Sequence, residues 1–242
     1  MFTPWKKFTV AGCDAIRAIT VGRSALTMRI FVTCTYQGTT VVKLVDRVKV
    51  ASHSVSTTEE DIEFHTLPYS LKIELDSQPF VGDLNGDYLD DIMFTEPGAT
   101  SQVMVALQIP EKVLDQPPTF FTTTFEHALL IRDENYGCID KPIENKRLTV
   151  PHSIGLVDFD GDCMADLFVT VQDLTTGKKY YEIYLRREVS ESVKITTTSE
   201  TQTSTPSNST TAQTSSASEE ESAEQLTGLG SFCLVQREEV PE

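Results

Sequence analysis

Apolar side chains cluster in short runs along this chain, in places alternating with polar ones. They include RIFVTCTY, TVVKLVDRVKV, DIMFTE, QVMVALQI, TFFTTTF, DLFVTV and YYEIYLR, each rich in β-branched or aromatic residues and bounded by turn formers. A period of two puts one set of side chains on one face of a strand and the rest on the other. No long stretch with a 3.6-residue period competes with them. The class that follows is all-β, built of short strands.

Two stretches repeat the same order of elements. PFVG leads into an acidic loop, DIMFTE leaves it, PGATS turns the chain and QVMVALQ returns; SIGLV, a second acidic loop, DLFVTV, the turn QDLTTGKK and YYEIYLR follow the same plan. A small sheet repeated in this way cannot bury both faces alone, so the units are expected to stack as the blades of a propeller do. The chain then divides into a β-rich segment holding part of one or more blades (residues 1–78), a first repeat (79–128) and a second repeat (147–190). Residues 191–226 are almost entirely Ser, Thr, Gln and Glu and are expected to form a disordered insertion. Strand character resumes in GSFCLVQREEV, within residues 227–242, which suits the outer strand of the second repeat.

The acidic loops are the richest chemical feature. In VGDLNGDYLDD, Asp83, Asn85, Asp87 and Asp91 stand at positions 1, 3, 5 and 9 of a loop, with the carbonyl of Leu89 at position 7. In VDFDGDCMADLF the same places are held by Asp158, Asp160, Asp162 and Asp166, with the carbonyl of Met164. A hard divalent cation such as calcium takes six to eight oxygens at about 2.3–2.6 Å, which this spacing can gather on one point. Gly86 and Gly161, at position 4, let the backbone curl round the ion. An EF-hand would need Gly at position 6 and Glu at position 12, followed by a helix. Position 12 is instead Phe94 or Val169, in runs that read as strands. By charge count, the second loop, with four carboxylates against three, is expected to bind calcium more tightly. Without a bidentate Glu at position 12, both affinities fall in the weak range of about 10⁻⁴ to 10⁻³ M. The competing reading is a pair of metal-free Asx turns, and Asp90, beside the ligand set, reads as solvated.

The formal net charge of −16 in 242 residues suits a cation binder and argues against nucleic acid or an anionic membrane surface as partner. No stretch approaches the roughly 20 apolar residues of a membrane span. Asp14 and Arg17 interrupt the apolar run behind Lys6 and Lys7, which makes the N-terminus a poor signal peptide. That predicts a cytosolic chain or one whose start is missing. Cys13, Cys34, Cys138, Cys163 and Cys233 are widely spaced, which fits one or two disulfides with a leftover thiol, or buried free cysteines, and gives no zinc motif. His53, His65, His127 and His152 have no helix-spaced partner, and the Ser after His152 lacks a nucleophile-elbow context. Asn208 heads a glycosylation sequon, NST.

The two loops resemble the calcium loops of FG-GAP repeats, the blades of the integrin α-subunit propeller. DLNGDYLDDIMF and DFDGDCMADLFV fit that pattern at all four side-chain ligands. They depart from it at position 6, where Tyr88 and Cys163 replace Gly; a positive φ there would strain both. The wider arrangement, LPYSLKIELDSQPFVGDLNGDYLDDIMF, then YGCIDKP, then VPHSIGLVDFDGDCMADLFVT, resembles the T-cell immunomodulatory protein (Linkin) family over roughly residues 60 to 190. The resemblance implies a non-enzymatic, calcium-stabilised extracellular β-propeller involved in cell adhesion or immunomodulation, with protein partners at a cell surface. Family members look membrane-anchored, with a signal peptide and more blades, so this chain resembles an internal fragment. Two other function classes stand beside this reading. One is a glycan-binding, lectin-like propeller. The other is a glycoside hydrolase using paired carboxylates, disfavoured because the acids are interleaved within single loops.

Overall fold

The computed structural model describes residues 9–24, 27–50, 61–75, 77–98, 101–110, 118–131, 136–139, 143–150, 153–187 and 231–241. The Ser/Thr-rich run 191–226, the sequon at Asn208, His53 and His152 lie outside the described residues.

The described chain is mostly strand, in three antiparallel sheets that follow one another in sequence. Sheet one is β1 (Ala15–Ser24), β2 (Thr27–Tyr36), β3 (Thr39–Val50) and β4 (Asp61–Ile73), each paired with the next. The turn between β2 and β3 is set by Gln37 and Gly38, both at positive φ (48° and 76°), the conformation of a two-residue hairpin. Sheet two is β5 (Phe80–Gly82), β6 (Asp91–Thr95), β7 (Val103–Ile109) and β8 (Thr119–Thr124). One helical turn, α1 (Phe125–Ala128), follows, with the Thr124 side chain capping it. Sheet three runs β10 (Ile154–Val157), β11 (Asp166–Asp173), β12 (Lys179–Arg187) and β13 (Ser231–Glu239), with β9 (Lys146–Leu148) pairing the far end of β11.

Period-two alternation decides how the sheets stack. On β6 and β7, Ile92, Phe94 and Ala106 pack with Phe31, Val42, Leu44 and Ile73 of sheet one. Their neighbours Met93, Val103, Val105 and Leu107 pack with Leu167, Val169, Val171, Tyr184, Phe232 and Leu234 of sheet three. Sheet two is therefore covered on both faces, which is why β6 is buried at every position. Side chains such as Phe31, Phe125, Phe232 and Tyr184, all 2% exposed or less, each contribute roughly 1.5–3 kcal/mol by burial. Gly22 of β1 sits in a tight place between its own sheet and sheet two: a Cβ there would lie 2.6 Å from the Phe31 ring of β2 and 3.0 Å from Val81 of β5. The three sheets do not close into a ring or barrel among the described residues.

Two disulfides, Cys13–Cys34 and Cys138–Cys233, staple the N-terminal segment to β2 and the segment before β9 to β13; Cys163 is a free, exposed thiol. Under α1 lies a buried charge network. Lys146 Nζ donates to Glu182 Oε2 at 3.1 Å and to the Tyr184 hydroxyl at 3.0 Å, that hydroxyl donates to Glu182 at 2.6 Å, and Arg237 lies 2.6 Å from Glu182 Oε1. Burial alone would raise the Glu182 carboxyl, but Lys146, Tyr184 and Arg237 together hold it below its ordinary value.

Candidate cation-binding loops

Each acidic loop joins the first two strands of a sheet: residues 83–90 lie between β5 and β6, and residues 158–165 between β10 and β11. The two loops share six backbone-to-carboxylate or backbone-to-amide hydrogen bonds, atom for atom. Position 1 ties the turn: Gly86 and Tyr88 donate N–H to the Asp83 carboxylate at 2.6 and 3.0 Å, and Gly161 and Cys163 donate to Asp158 at 2.7 and 3.1 Å. Position 3 accepts from position 5: Asp87 N–H reaches Asn85 Oδ1 at 3.1 Å, and Asp162 N–H reaches Asp160 Oδ1 at 3.3 Å. Position 5 accepts from position 7, with Leu89 on Asp87 and Met164 on Asp162, both at 2.8 Å. Position 9 closes the loop and locks it to the third strand of its sheet. Asp91 accepts from Leu84 and Gln108 at 2.9 and 2.8 Å, and Asp166 from Phe159 and Arg186 at 2.7 and 2.8 Å.

Asp91 and Asp166 are fully buried. Burial pushes the Asp91 carboxyl up to about 8 against the pull of its two N–H bonds, and the neighbouring Asp87 and Asp83 charges add to the rise. Burial also raises Asp87, whereas Asp160 is lowered, chiefly by its hydrogen bond to Arg187. Gly86 and Gly161 sit at φ 86° and 81°, and Tyr88 and Cys163 at 67° and 68°, so position 6 does require the left-handed region and two bulky residues occupy it.

Carboxylate oxygens of Asp158, Asp160 and Asp166 lie within 4.8 Å of one another. Two oxygens bound to one calcium at about 2.4 Å can be no more than about 4.8 Å apart, so this triad fits a hard divalent cation. Asp162 stands outside that group, and Asp83, Asp87 and Asp91 are not gathered as closely. Instead, Asn85 Nδ2 donates to Asp87 Oδ2 at 3.1 Å in the first loop. Leu89 and Met164 lie on the loops through the bonds just given. Phe94 and Val169, the EF-hand position 12, are buried core residues of β6 and β11.

Two residues at the loops, Arg186 and Arg187, are not singled out by the sequence, and a third, Asp90, differs from its expectation. Arg186 extends across from sheet three, and its Nη2 donates to the carbonyls of Asp83 and Leu84 at 3.0 and 3.2 Å; a Cβ on Gly86 would lie 2.8 Å from its Nη1. Arg187 Nη1 lies 2.6 Å from Asp160 Oδ2 and 3.9 Å from Asp162 Oδ2. Asp90, expected to be solvated, is instead half-buried: its carboxylate accepts the Arg23 N–H, and its own N–H donates to the Arg23 carbonyl at 2.9 Å. The paired RR at the end of β12 was the available signal, but its partners are 27 and 103 residues away.

Apart from the loops, a concavity of about 760 Å³ is lined by Gln102, Thr124, Glu126, His127, Glu144 and Lys146, with Val103 and Leu130 as apolar wall. No protein-family model, curated protein or solved structure matches the chain. Among the described residues no helix is long and apolar enough to cross a membrane.

Proposed function

We propose that the chain is a non-enzymatic, calcium-stabilised interaction module, part of a β-propeller of the FG-GAP type, working on the extracellular side of a membrane with protein partners at a cell surface. The observation that carries this reading is the recurrence of one loop, with the same backbone hydrogen-bond set, at the same place in two successive sheets, between the first two strands of β5–β8 and of β10–β13. All four side chains serve backbone hydrogen bonds in both loops, and in the second loop three of them also bring carboxylate oxygens together as a cation would require. Bound at the Asp158, Asp160 and Asp166 cluster, calcium would neutralise carboxylates that otherwise repel one another and stabilise the folded sheet by linkage. Asp83, Asn85, Asp87 and Asp91 would hold it in the first loop. The metal's part is structural, and the sheets' exposed faces and edges are left for partners. The blade reading draws further support from sheet two, whose two faces are covered by its neighbours in sequence. Two disulfides favour an oxidising compartment. The resemblance to the T-cell immunomodulatory protein family agrees with each of these points.

The test is binding of labelled chain to cells, read by flow cytometry in calcium and in chelator. Binding that needs calcium, and that is lost in an Asp87→Ala, Asp162→Ala double variant, supports the reading. Binding indifferent to both contradicts it. A glycan ligand is the second reading, favoured by the cleft beside Glu126, Glu144 and Lys146; a glycan array with the same chain separates it from protein adhesion.

A further inference from the structure

Arg186 and Arg187 are adjacent on β12, and strand alternation sends them to opposite faces. Arg186 is buried, turned toward sheet two, with its guanidinium 5.0 Å from the centre of the Phe232 ring. It donates to two backbone carbonyls of the first loop and leaves the carboxylates there uncovered. Arg187 points to the other face, directly onto the carboxylates of its own sheet's loop, Asp160 at 2.6 Å and Asp162 at 3.9 Å. The hydrogen bonds to position 9 align Gln108 with Arg186, and therefore Ile109 with Arg187. Among the described residues no ion pair of this kind joins a cation to the carboxylates of Asp83, Asp87 or Asp91, although Arg23 lines a shallow concavity with Asp83 and Asp90.

We propose that Arg187 is a tethered cation that competes with the divalent ion for the second loop and holds its affinity below what four carboxylates would give. The inference rests on the reading that the loops bind calcium. The guanidinium already neutralises part of the acidic cluster, and Asp162, the ligand outside the converging triad, has its Oδ2 turned toward it. An arriving ion must displace this contact or accept a positive charge beside it, and either weakens binding. Counting carboxylates ranks the second loop above the first; Arg187 lowers or reverses that ranking.

The test is calorimetric titration of the full chain with calcium chloride, in an Asp87→Ala background so that the second loop is read alone. Arg187→Gln should tighten calcium binding by about two- to fivefold, the range set by removing one partly exposed ion-pair charge, and Arg187→Lys should fall between. Unchanged or weaker affinity overturns the proposal. A second readout is the melting temperature: Arg187→Gln should lower it in chelator, and the difference should vanish in saturating calcium. An equal loss in both conditions would make Arg187 a structural residue only and overturn the proposal. Calcium uptake that ignores Arg187 leaves the cation reading standing, whereas no uptake by either loop of the unsubstituted chain brings down both.

Discussion

At the scale of single residues, the loops show how burial and charge oppose each other. Asp91 is enclosed by β5, β6 and β7, and its carboxyl titrates near 8 in the metal-free fold against roughly 4 in an unfolded chain. Because the folded value is the higher one, the fold favours the protonated form. The stability this confers is complete below about pH 4 and is lost as the pH rises toward 8. Urea melts in chelator should therefore show the chain less stable at pH 8 than at pH 5, and Asp91→Asn should flatten that difference. A slope unaffected by Asp91→Asn would assign it to other groups. A bound cation requires the ionised carboxylate, so calcium uptake below pH 8 should release protons. The ligand positions were legible in the sequence because positions 1, 3, 5 and 9 are a local pattern. Tyr88 and Cys163 could be marked as departures for the same reason. Arg186, Arg187 and Asp90 were not legible, since what they touch is decided by how the sheets stack.

At the scale of elements, the sequence runs placed β2, β3, β6, β7, β8, β11 and β12 but named no run for β1 or β4, and so missed sheet one as a unit. Strands β1 to β4 pair in sequence order as a four-stranded antiparallel sheet, read from sequence only as β-rich because it lacks the acidic loop that marks the other two. Its hairpin rests on Gln37 and Gly38, a signal of two residues. The network under α1 was also invisible, because Lys146, Glu182 and Arg237 come from β9, β12 and β13 and meet only when those strands pair. Lys146 and Glu182 are 4% and 0% exposed. Lys146→Met should therefore destabilise the chain by about 3 kcal/mol, the usual result of leaving a buried carboxylate short of a partner. Chemical denaturation measures this; a change under about 1 kcal/mol would mean that Arg237 and the Tyr184 hydroxyl suffice for Glu182.

At the scale of the whole molecule, the equivalence of the two repeats says what the outer face of sheet three resembles. Matching Asp91 with Asp166, and Gln108 with Arg186, sets Met93, Val103, Val105 and Leu107 against Phe168, Tyr181, Ile183 and Leu185. The first set is buried beneath sheet three; in the second set Phe168 and Tyr181 stack with ring centres 6.0 Å apart, and all four are only partly covered. In the isolated chain this face should meet a second copy. Light scattering should show apparent mass rising with concentration, and Ile183→Lys should suppress the rise. A strict monomer would instead identify three stacked sheets as a finished domain. The central claim, that both loops hold calcium, is tested most directly by calorimetric stoichiometry on the full chain. Two ions should bind in the unsubstituted chain, in the range of about 10⁻⁴ to 10⁻³ M, with one lost in Asp87→Ala and the other in Asp162→Ala. Uptake that neither substitution changes, or no uptake at all, would make the loops turns and contradict the account.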